Sequence, residues 1–352
     1  MAGREDRIDA FLDALELSIQ AMDGQHTIDT LFLGGGTPSF LDAAQLARLG
    51  EILFAKFRLS EAAEFTAECN PSDINPDRIR GFQELGVNRI SLGVQSFSQS
   101  KLTVLERDHS PRQAVEAFEL SMKAIGNVSM DLIFAAPDES VADWTRDLAT
   151  ALELSPTHLS TYELTWEKGT QFWNRLSKGH LVEASELIRE QMYTHAIEAC
   201  HRAGLNQYEV SSFAVAGKRC QHNLAYWLGN PWFAFGPSAA SYIDNVRTTM
   251  HPSPTTWIKR TIAGESAVYQ SERLTPTQAA LERLVFGIRM VDGVDVTVLT
   301  EVSGVDITSK TSELISEFQQ AGLMESSQGM VRLTPQGRLL ADGISEKLLG
   351  LQ

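Results

Sequence analysis

Five short stretches carry side chains able to bind or turn over a polar ligand. Gly34-Gly-Gly-Thr-Pro38 sets three glycines after an apolar run. A backbone free to take φ > 0 can turn several N–H groups toward one anionic or polar group. A tight strand-to-helix turn uses the same residues, and no Gly-Lys-Ser/Thr follows, so this is not a P-loop. Glu68, in Ala67-Glu-Cys-Asn-Pro71, offers a carboxylate to a ligand amine or hydroxyl; a helix cap or an ion pair is its plainer role. Gln95 closes Ser91-Leu-Gly-Val-Gln-Ser-Phe97, two residues after Gly93. Arg107, in Leu105-Glu-Arg-Asp-His-Ser110, has the fork that suits a ligand carboxylate, with a surface pair to Glu106 or Asp108 as the alternative. Asp131 interrupts the apolar Val128-Ser-Met-Asp-Leu-Ile-Phe134, where an unpaired charge is costly.

The elements that must position these residues follow from periodicity. Ile8, Phe11, Leu12, Leu15, Ile19 and Met22 recur at helical spacing. Strand patterns follow at Thr30–Gly34, Phe65–Cys69, Arg89–Val94, Ser129–Phe134, His158–Leu164 and Gln207–Ser212, with helical patterns at about 42–57, 76–85, 112–125, 141–153 and 185–203 between them. Such alternation predicts parallel strands with crossover helices, hence an α/β barrel or a doubly wound sheet, in which functional residues gather where strands end. The rhythm changes near residue 245. Residues 1–245 are expected to form the α/β domain, 246–270 a linker built around the polar Thr248–Thr256, and 271–352 a small C-terminal domain. In that domain Pro276–Ile288 and Ser309–Ala321 read as helices, Met330-Val-Arg-Leu333 closes a hairpin turned at Ser326-Ser-Gln-Gly329, and a last helix covers about 335–349. The pattern is winged-helix-like. Arg332 and Arg338 are almost the only cations near the wing, which favours a docking or structural role over DNA binding.

Composition narrows the class. The 352 residues are 43% hydrophobic and 21% charged, as in globular proteins, and the net charge of −15 argues against nucleic-acid binding, which depends on Lys and Arg neutralising phosphates. No apolar run reaches the ~20 residues of a membrane span. Cys69, Cys200 and Cys220 are far apart, with neither a disulfide framework nor metal-ligand spacing. A cytoplasmic protein is expected.

The order of the five stretches carries a resemblance. Gly-Gly-Gly-Thr-Pro at 34–38, Glu-x-Asn-Pro at 68–71, Gly-Val-Gln-Ser-Phe at 93–97, Arg-x-His-Ser at 107–110 and Asp-Leu-Ile at 131–133 resemble the radical-SAM coproporphyrinogen oxidase-like family. The resemblance continues through His158-Leu-Ser-x-Tyr162, Gly169-Thr170, Tyr208-Glu-Val-Ser211 and His222-Asn-Leu-Ala-Tyr-Trp227 into the C-terminal unit. It implies a partial six-stranded α/β barrel of radical-SAM type with a small winged-helix-like domain. It also implies that Gly36, Thr37, Glu68, Gln95, Arg107 and Asp131 contact S-adenosylmethionine (SAM).

The stretch Cys220-Gln-His-Asn-Leu-Ala-Tyr-Trp227 is similar to the heme-chaperone branch. His222 offers an imidazole to heme iron, and Tyr226 and Trp227 offer flat apolar surface; the alternative is that His222 and Asn223 satisfy backbone groups while the aromatics fill core. Cys220 is either a thiolate ligand or a small buried residue. Trp166, Trp173, Trp227 and Trp232 either line a cavity or pack the core. The implied function is a heme chaperone that binds heme and SAM and delivers heme to target proteins. The runner-up is an oxygen-independent coproporphyrinogen III oxidase, a radical decarboxylase of porphyrin biosynthesis; a third reading is a cluster-free SAM-binding or interaction protein.

Two departures from the family pattern stand out. Family members open with a strand and a C-x-x-x-C-x-x-C loop whose thiolates hold a [4Fe–4S] cluster, whereas this sequence opens in what resembles the first barrel helix. Cys69, Cys200 and Cys220 do not stand in for that loop. The expectation is a first strand lacking, an exposed sheet edge at Thr30–Gly34, no cluster and no radical chemistry in the chain as written, and a natural gene that starts upstream. Second, Ala135-Ala-Pro-Asp-Glu139 replaces the usual Gly-Leu-Pro-Gly-Gln, so the loop after Asp131's strand is expected to be reshaped.

Overall fold

The computed structural model describes residues 6–35, 41–166, 171–179 and 181–351. In chain order, α1 (Asp6–Gln20) leads into β1 (His26–Leu33), α2 (Ala43–Phe54), β2 (Phe57–Cys69), α3 (Pro76–Leu85), β3 (Arg89–Gln95), α4 (Gln99–Val104), α5 (Pro111–Ile125), β4 (Val128–Phe134), α6 (Val141–Glu153), β5 (His158–Glu163), α7 (Gln171–Ser177), α8 (Glu186–Arg202), β6 (Asn206–Gln207) and β7 (Ser212–Ala214). The strands form one seven-stranded sheet in the order β1-β2-β3-β4-β5-β7-β6. β2 through β5 pair in parallel, as the crossover helices require. The count differs from the six strands expected. The stretch read as one strand at 207–212 is two short strands, with β7 antiparallel to β5 and β6 antiparallel to β7.

Capping explains why several helix limits match the sequence pattern. Asn75 accepts from Arg78 N with Pro76 behind it, and Gly86 at φ 94° ends α3. Ser110 and Gln113, like Ser140 and Asp143, close capping boxes on α5 and α6.

The period of two sorts the parallel strands into two faces. Phe65 and Ala67 on β2, Ile90 and Leu92 on β3, Met130 and Leu132 on β4, and Leu159 on β5 are all buried, making an apolar face. The other face is polar: Thr66 pairs with Arg89, Glu68 with Ser91, Ser129 with His158 and Asp131 with Ser160. A parallel sheet covered on both sides would read as continuous apolar runs. The polar alternation marks a face that is not packed as apolar core.

The chain divides into two compact units, one of residues 32–43 and 64–219, the other of 1–31, 44–63 and 220–352. The second contains α9 (Gln221–Trp227), β8 (Ala240–Ile243), β9 (Val246–Met250), α10 (Pro254–Ile262), β10 (Val268–Arg273), α11 (Pro276–Gly287), β11 (Val294–Asp295), α12 (Val296–Ser303), α13 (Ile307–Gln320), β12 (Met324–Ser327), β13 (Met330–Leu333), α14 (Pro335–Leu339) and α15 (Ala341–Leu349). The stretch 246–270, expected as a linker, is folded: β9 and β10 pair antiparallel, and β8 completes a three-stranded sheet. Trp257 of α10 is buried against Phe11 of α1, ring centroids 5.6 Å apart. The succession α11-β11-α12-α13-β12-β13, with sheet order β11-β13-β12, has the winged-helix pattern. The expected last helix is broken at Leu340 (φ −112°, ψ 18°) into α14 and α15.

Candidate functional site

Glu68 lies one residue from the end of β2. Its Oε2 accepts a hydrogen bond from the Gly35 N–H at 3.2 Å. A Cβ on Gly34 would stand 2.2 Å from the Phe32 ring and 2.8 Å from Glu68 Oε2, so only glycine fits beside this carboxylate. Burial pushes the Glu68 carboxyl above the usual carboxylate range; the Asp131 charge pushes the same way, while the Gly35 N–H and the Arg107 charge oppose. Glu68 therefore feels Gly35, Arg107 and Asp131 at once, although the four residues come from four different βα units.

Asp131 is half-buried on the polar face of β4. Ser91 Oγ donates to its Oδ2 at 2.9 Å and Ser129 Oγ to its Oδ1 at 3.2 Å. Enclosure by protein pushes its carboxyl up, opposed by the bonds from Ser91, Ser160 and Ser129 and by the Arg89 charge. His158, fully buried, extends the network: its Nδ1 is 2.8 Å from Ser129 Oγ and its Nε2 2.8 Å from Tyr208 Oη. Because Ser129 gives its proton to Asp131, His158 Nδ1 donates to Ser129 and Nε2 accepts from Tyr208. Burial holds the His158 pKa well below its ordinary value, which keeps the ring neutral, and the bonds to Ser129 and Tyr208 select the tautomer.

Gln95 adopts φ 63°, a left-handed conformation uncommon outside glycine. The register between β3 and β4 is irregular between Leu92 and Gln95. A Cβ at Gly93 would lie 3.0 Å from Gln95 Nε2, so Gly93 leaves room for the amide to fold back. Arg107 is exposed after α4. Its neighbours fix the loop: Asn70 Nδ2 donates to Asp108 Oδ1 at 2.8 Å, and the buried His109 Nε2 lies 2.9 Å from the Val94 carbonyl. Burial lowers the His109 pKa, so the neutral ring donates through Nε2.

A buried ion triad holds the strand ends. Lys101 Nζ contacts Glu139 Oε1 at 2.5 Å and Asp147 Oδ2 at 3.1 Å. Asp147 accepts from Ser96 Oγ (2.5 Å) and the Phe97 N–H (2.8 Å), immediately after Gln95. Glu139 accepts from the Ala136 N–H at 2.9 Å, immediately after Ala135. Ala135 itself has φ 60°. The loop keeps the left-handed corner that a glycine adopts freely; alanine occupies it at a cost of about 1 kcal/mol. The clamp, the Asn70–Asp108 latch and the His158 relay were not assigned roles from sequence. The lysine lies in α4 and its partners in the loop after β4 and in α6, so spacing carries no signal of them.

Gly36 and Thr37, like Gly169 and Thr170, lie outside the described residues. Glu68, Arg107 and Asp131 come together, with Gln95 at the end of the intervening strand. His222 belongs to the other unit: its Nδ1 is 2.9 Å from Thr30 Oγ1 and its Nε2 3.1 Å from Tyr226 Oη. The tryptophans make separate contacts: Trp166 with Phe172, Trp227 with Phe286, and Trp232 with Tyr226 and Tyr242.

The residues described do not fit an iron–sulfur cluster. Cys69, Cys200 and Cys220 are buried thiols without disulfide partners. Burial pushes the Cys69 thiol up and the Cys200 thiol up to about 12, away from the thiolate that binds metal. Among the described residues no group of three or more His, Cys, Asp and Glu is placed to hold a metal ion. The groups present do fit SAM: the Glu68 and Asp131 carboxylates can accept from its ammonium and hydroxyls, and the Arg107 guanidinium can donate to its carboxylate.

The parallel α/β sheet, taken with two family models, places the chain in the radical-SAM class. The Radical SAM superfamily model matches residues 4–151 and the HemN C-terminal domain model residues 274–340. Coproporphyrinogen III oxidase (HemN) from Escherichia coli superposes with a TM-score of 0.85 at 19% identity, over 99% of this chain and 84% of that one, which shows the shared fold. Heme chaperone HemW of Bacillus subtilis is 32% identical over 97% of this chain and 92% of its own length. HemW of Escherichia coli is 38% identical over 67% of this chain and 61% of its own length. The chain belongs to the HemW family of radical-SAM proteins.

Proposed function

We propose that this protein is a heme chaperone that binds SAM at the strand ends and hands heme to heme-accepting proteins. The reading rests on one observation above others: Gly35 N–H, Glu68, Arg107 and Asp131 act on a single locus, in a chain whose full-length relatives are heme chaperones. Glu68 would accept from the methionine ammonium, and Gly36 and Thr37, next in sequence after Gly35, are our further candidates for that end. Arg107 would face the methionine carboxylate, and Gln95 and Asp131 the nucleoside side. When bound, SAM supplies a sulfonium centre. The chain's own residues orient it and hold Asp131 and Glu68 in fixed hydrogen-bonded positions. The residues described supply no thiolate set for a cluster, and the roles of these side chains are binding and orientation.

His222 is our candidate heme contact. Binding iron through Nε2 requires release of the Tyr226 hydroxyl. The HemN likeness concerns fold alone, so the oxidase reading receives no comparable support. Three cysteines outside any disulfide suit a reducing compartment, in keeping with a cytoplasmic location, and no described helix is long and apolar enough to cross a membrane. Calorimetric titration of the full chain with SAM tests the first half of the proposal: saturable binding, weakened by about tenfold or more in Glu68→Gln, is expected. Wild-type affinity in that variant removes Glu68 from the site. Titration with hemin tests the second half, and an unchanged Soret band in His222→Ala removes His222.

A further inference from the structure

The unit that contains α9 and the winged-helix elements also holds an open cleft of about 240 Å³, lined chiefly by Trp227, Leu228, Arg283, Met290, Val298 and Val302. Its surface is unusually apolar for exposed structure. Val298 is 51% exposed, Val302 65% and Leu228 50%, and the two valines are one helical turn apart on α12. The buried face of the same helix is already supplied by Val296 and Leu299, so these valines are not needed for its own core. With Leu228 they form a small exposed apolar strip along the cleft.

Two polar groups give the strip a chemical direction. Arg283 lays its aliphatic stem over Gly229, where a Cβ would stand 2.6 Å from Arg283 Cγ, and its guanidinium has no hydrogen bond or ion pair among the described residues. The Trp227 indole N–H is sheltered from solvent and likewise unpartnered, an arrangement that costs stability unless an acceptor arrives. Asp295, the cleft's acid, is already engaged, capping α12 through the Thr297 and Val298 N–H groups. The cleft therefore asks for a flat apolar body that carries a carboxylate and an acceptor at its edge.

We infer that this cleft is the heme-docking surface, with one edge of the macrocycle against Trp227 and the Val298–Val302 strip and a propionate on Arg283. The inference rests on the heme-chaperone reading above and adds where the porphyrin lies. Pockets that enclose their ligand run to ~300–1,000 Å³; a smaller, open cleft covers part of the macrocycle and leaves the rest accessible to an acceptor.

The test is hemin titration of the full chain, followed by the Soret band, in wild type, Val298→Glu and Arg283→Gln. Val182→Glu serves as a control for non-specific adsorption, since Val182 is 70% exposed in the other unit. Thermal unfolding checks that each variant is folded. Val298→Glu sets a carboxylate against the macrocycle and is expected to weaken binding by roughly tenfold or more; Val182→Glu leaves it unchanged. Arg283→Gln is expected to weaken hemin by about fivefold and to leave hemin dimethyl ester, whose propionates are masked, unaffected. Folded Val298→Glu and Arg283→Gln proteins that bind hemin like wild type overturn the cleft while leaving the chaperone reading intact, as does equal weakening by Val298→Glu and Val182→Glu. A wild-type chain that binds no hemin overturns both. An Arg283→Gln effect that persists with the ester removes the propionate contact.

Discussion

Replacing Lys101 with Met tests whether the ion triad is what secures the ends of β3 and β4. The side chains of Lys101, Glu139 and Asp147 are 7%, 2% and 5% exposed, so solvent screens little of their interaction. Removing the ammonium leaves two carboxylates enclosed and close together, facing no other cation in the triad. Loss of one partner from a buried pair costs about 3–5 kcal/mol, a large share of a typical folding free energy of about 5–15 kcal/mol. The pH dependence follows from Glu139, whose carboxyl is raised chiefly by burial, with Lys101 holding it down. Without Lys101 that upward shift grows. A carboxyl whose folded-state pKa exceeds its unfolded one is favoured in the folded state when protonated, so the penalty is full at neutral pH. It shrinks as pH falls through the folded pKa toward the unfolded value of about 4.3. Urea unfolding followed by circular dichroism at pH 7 and pH 5 should show a deficit of about 3 kcal/mol or more for Lys101→Met at pH 7, narrowing at pH 5. A midpoint matching wild type at pH 7 would show that the carboxylates are satisfied without the ammonium and refute the clamp.

Two further outcomes follow from single residues. Gly34→Ala forces a methyl into the Phe32 ring and Glu68 Oε2, so SAM affinity by calorimetry should fall by roughly tenfold or more, with Gly343→Ala, in open space on α15, as a comparison that leaves the site alone. His158 and His109 both have pKa values depressed by burial; a histidine of this kind contributes stability above its unfolded pKa of about 6.5 that drains away as pH falls below it, so the unfolding free energy should decline from pH 7 to pH 5 and the slope should flatten in His158→Gln.

Much of this arrangement was written in the sequence because it depends on local chemistry. The caps Asn75, Ser110 and Ser140 mark helix starts through bonds to residues three positions away. The alternation of Phe65, Ala67 and Cys69 with Thr66 and Glu68 reports a two-faced strand without any knowledge of its neighbours. The order Glu68, Gln95, Arg107, Asp131 pointed to one ligand and one family. Where local signals conflict, the pattern misleads. Val296-Thr-Val-Leu-Thr-Glu-Val-Ser303 is rich in β-branched residues that favour strands, yet it forms α12 because Asp295 caps it and Val296 and Leu299 are buried. The polar run through 246–270 looked like a linker, but its strands are stabilised by pairing with each other, and Trp257 by a helix near the other end of the chain.

Only the tertiary structure decided how the site is held. Parallel pairing of β3 with β4 sets Ser91 beside Asp131, 40 positions away. Folding brings Lys101 to carboxylates 38 and 46 positions on, and Asn70 to Asp108. These contacts leave no periodic trace, because each depends on loop closure between residues that do not share an element. The sequence by itself determined which groups are available to touch a ligand. The three-dimensional packing of strand ends determined which of them share an electrostatic environment, since charge–charge coupling depends on distance through space and not along the chain.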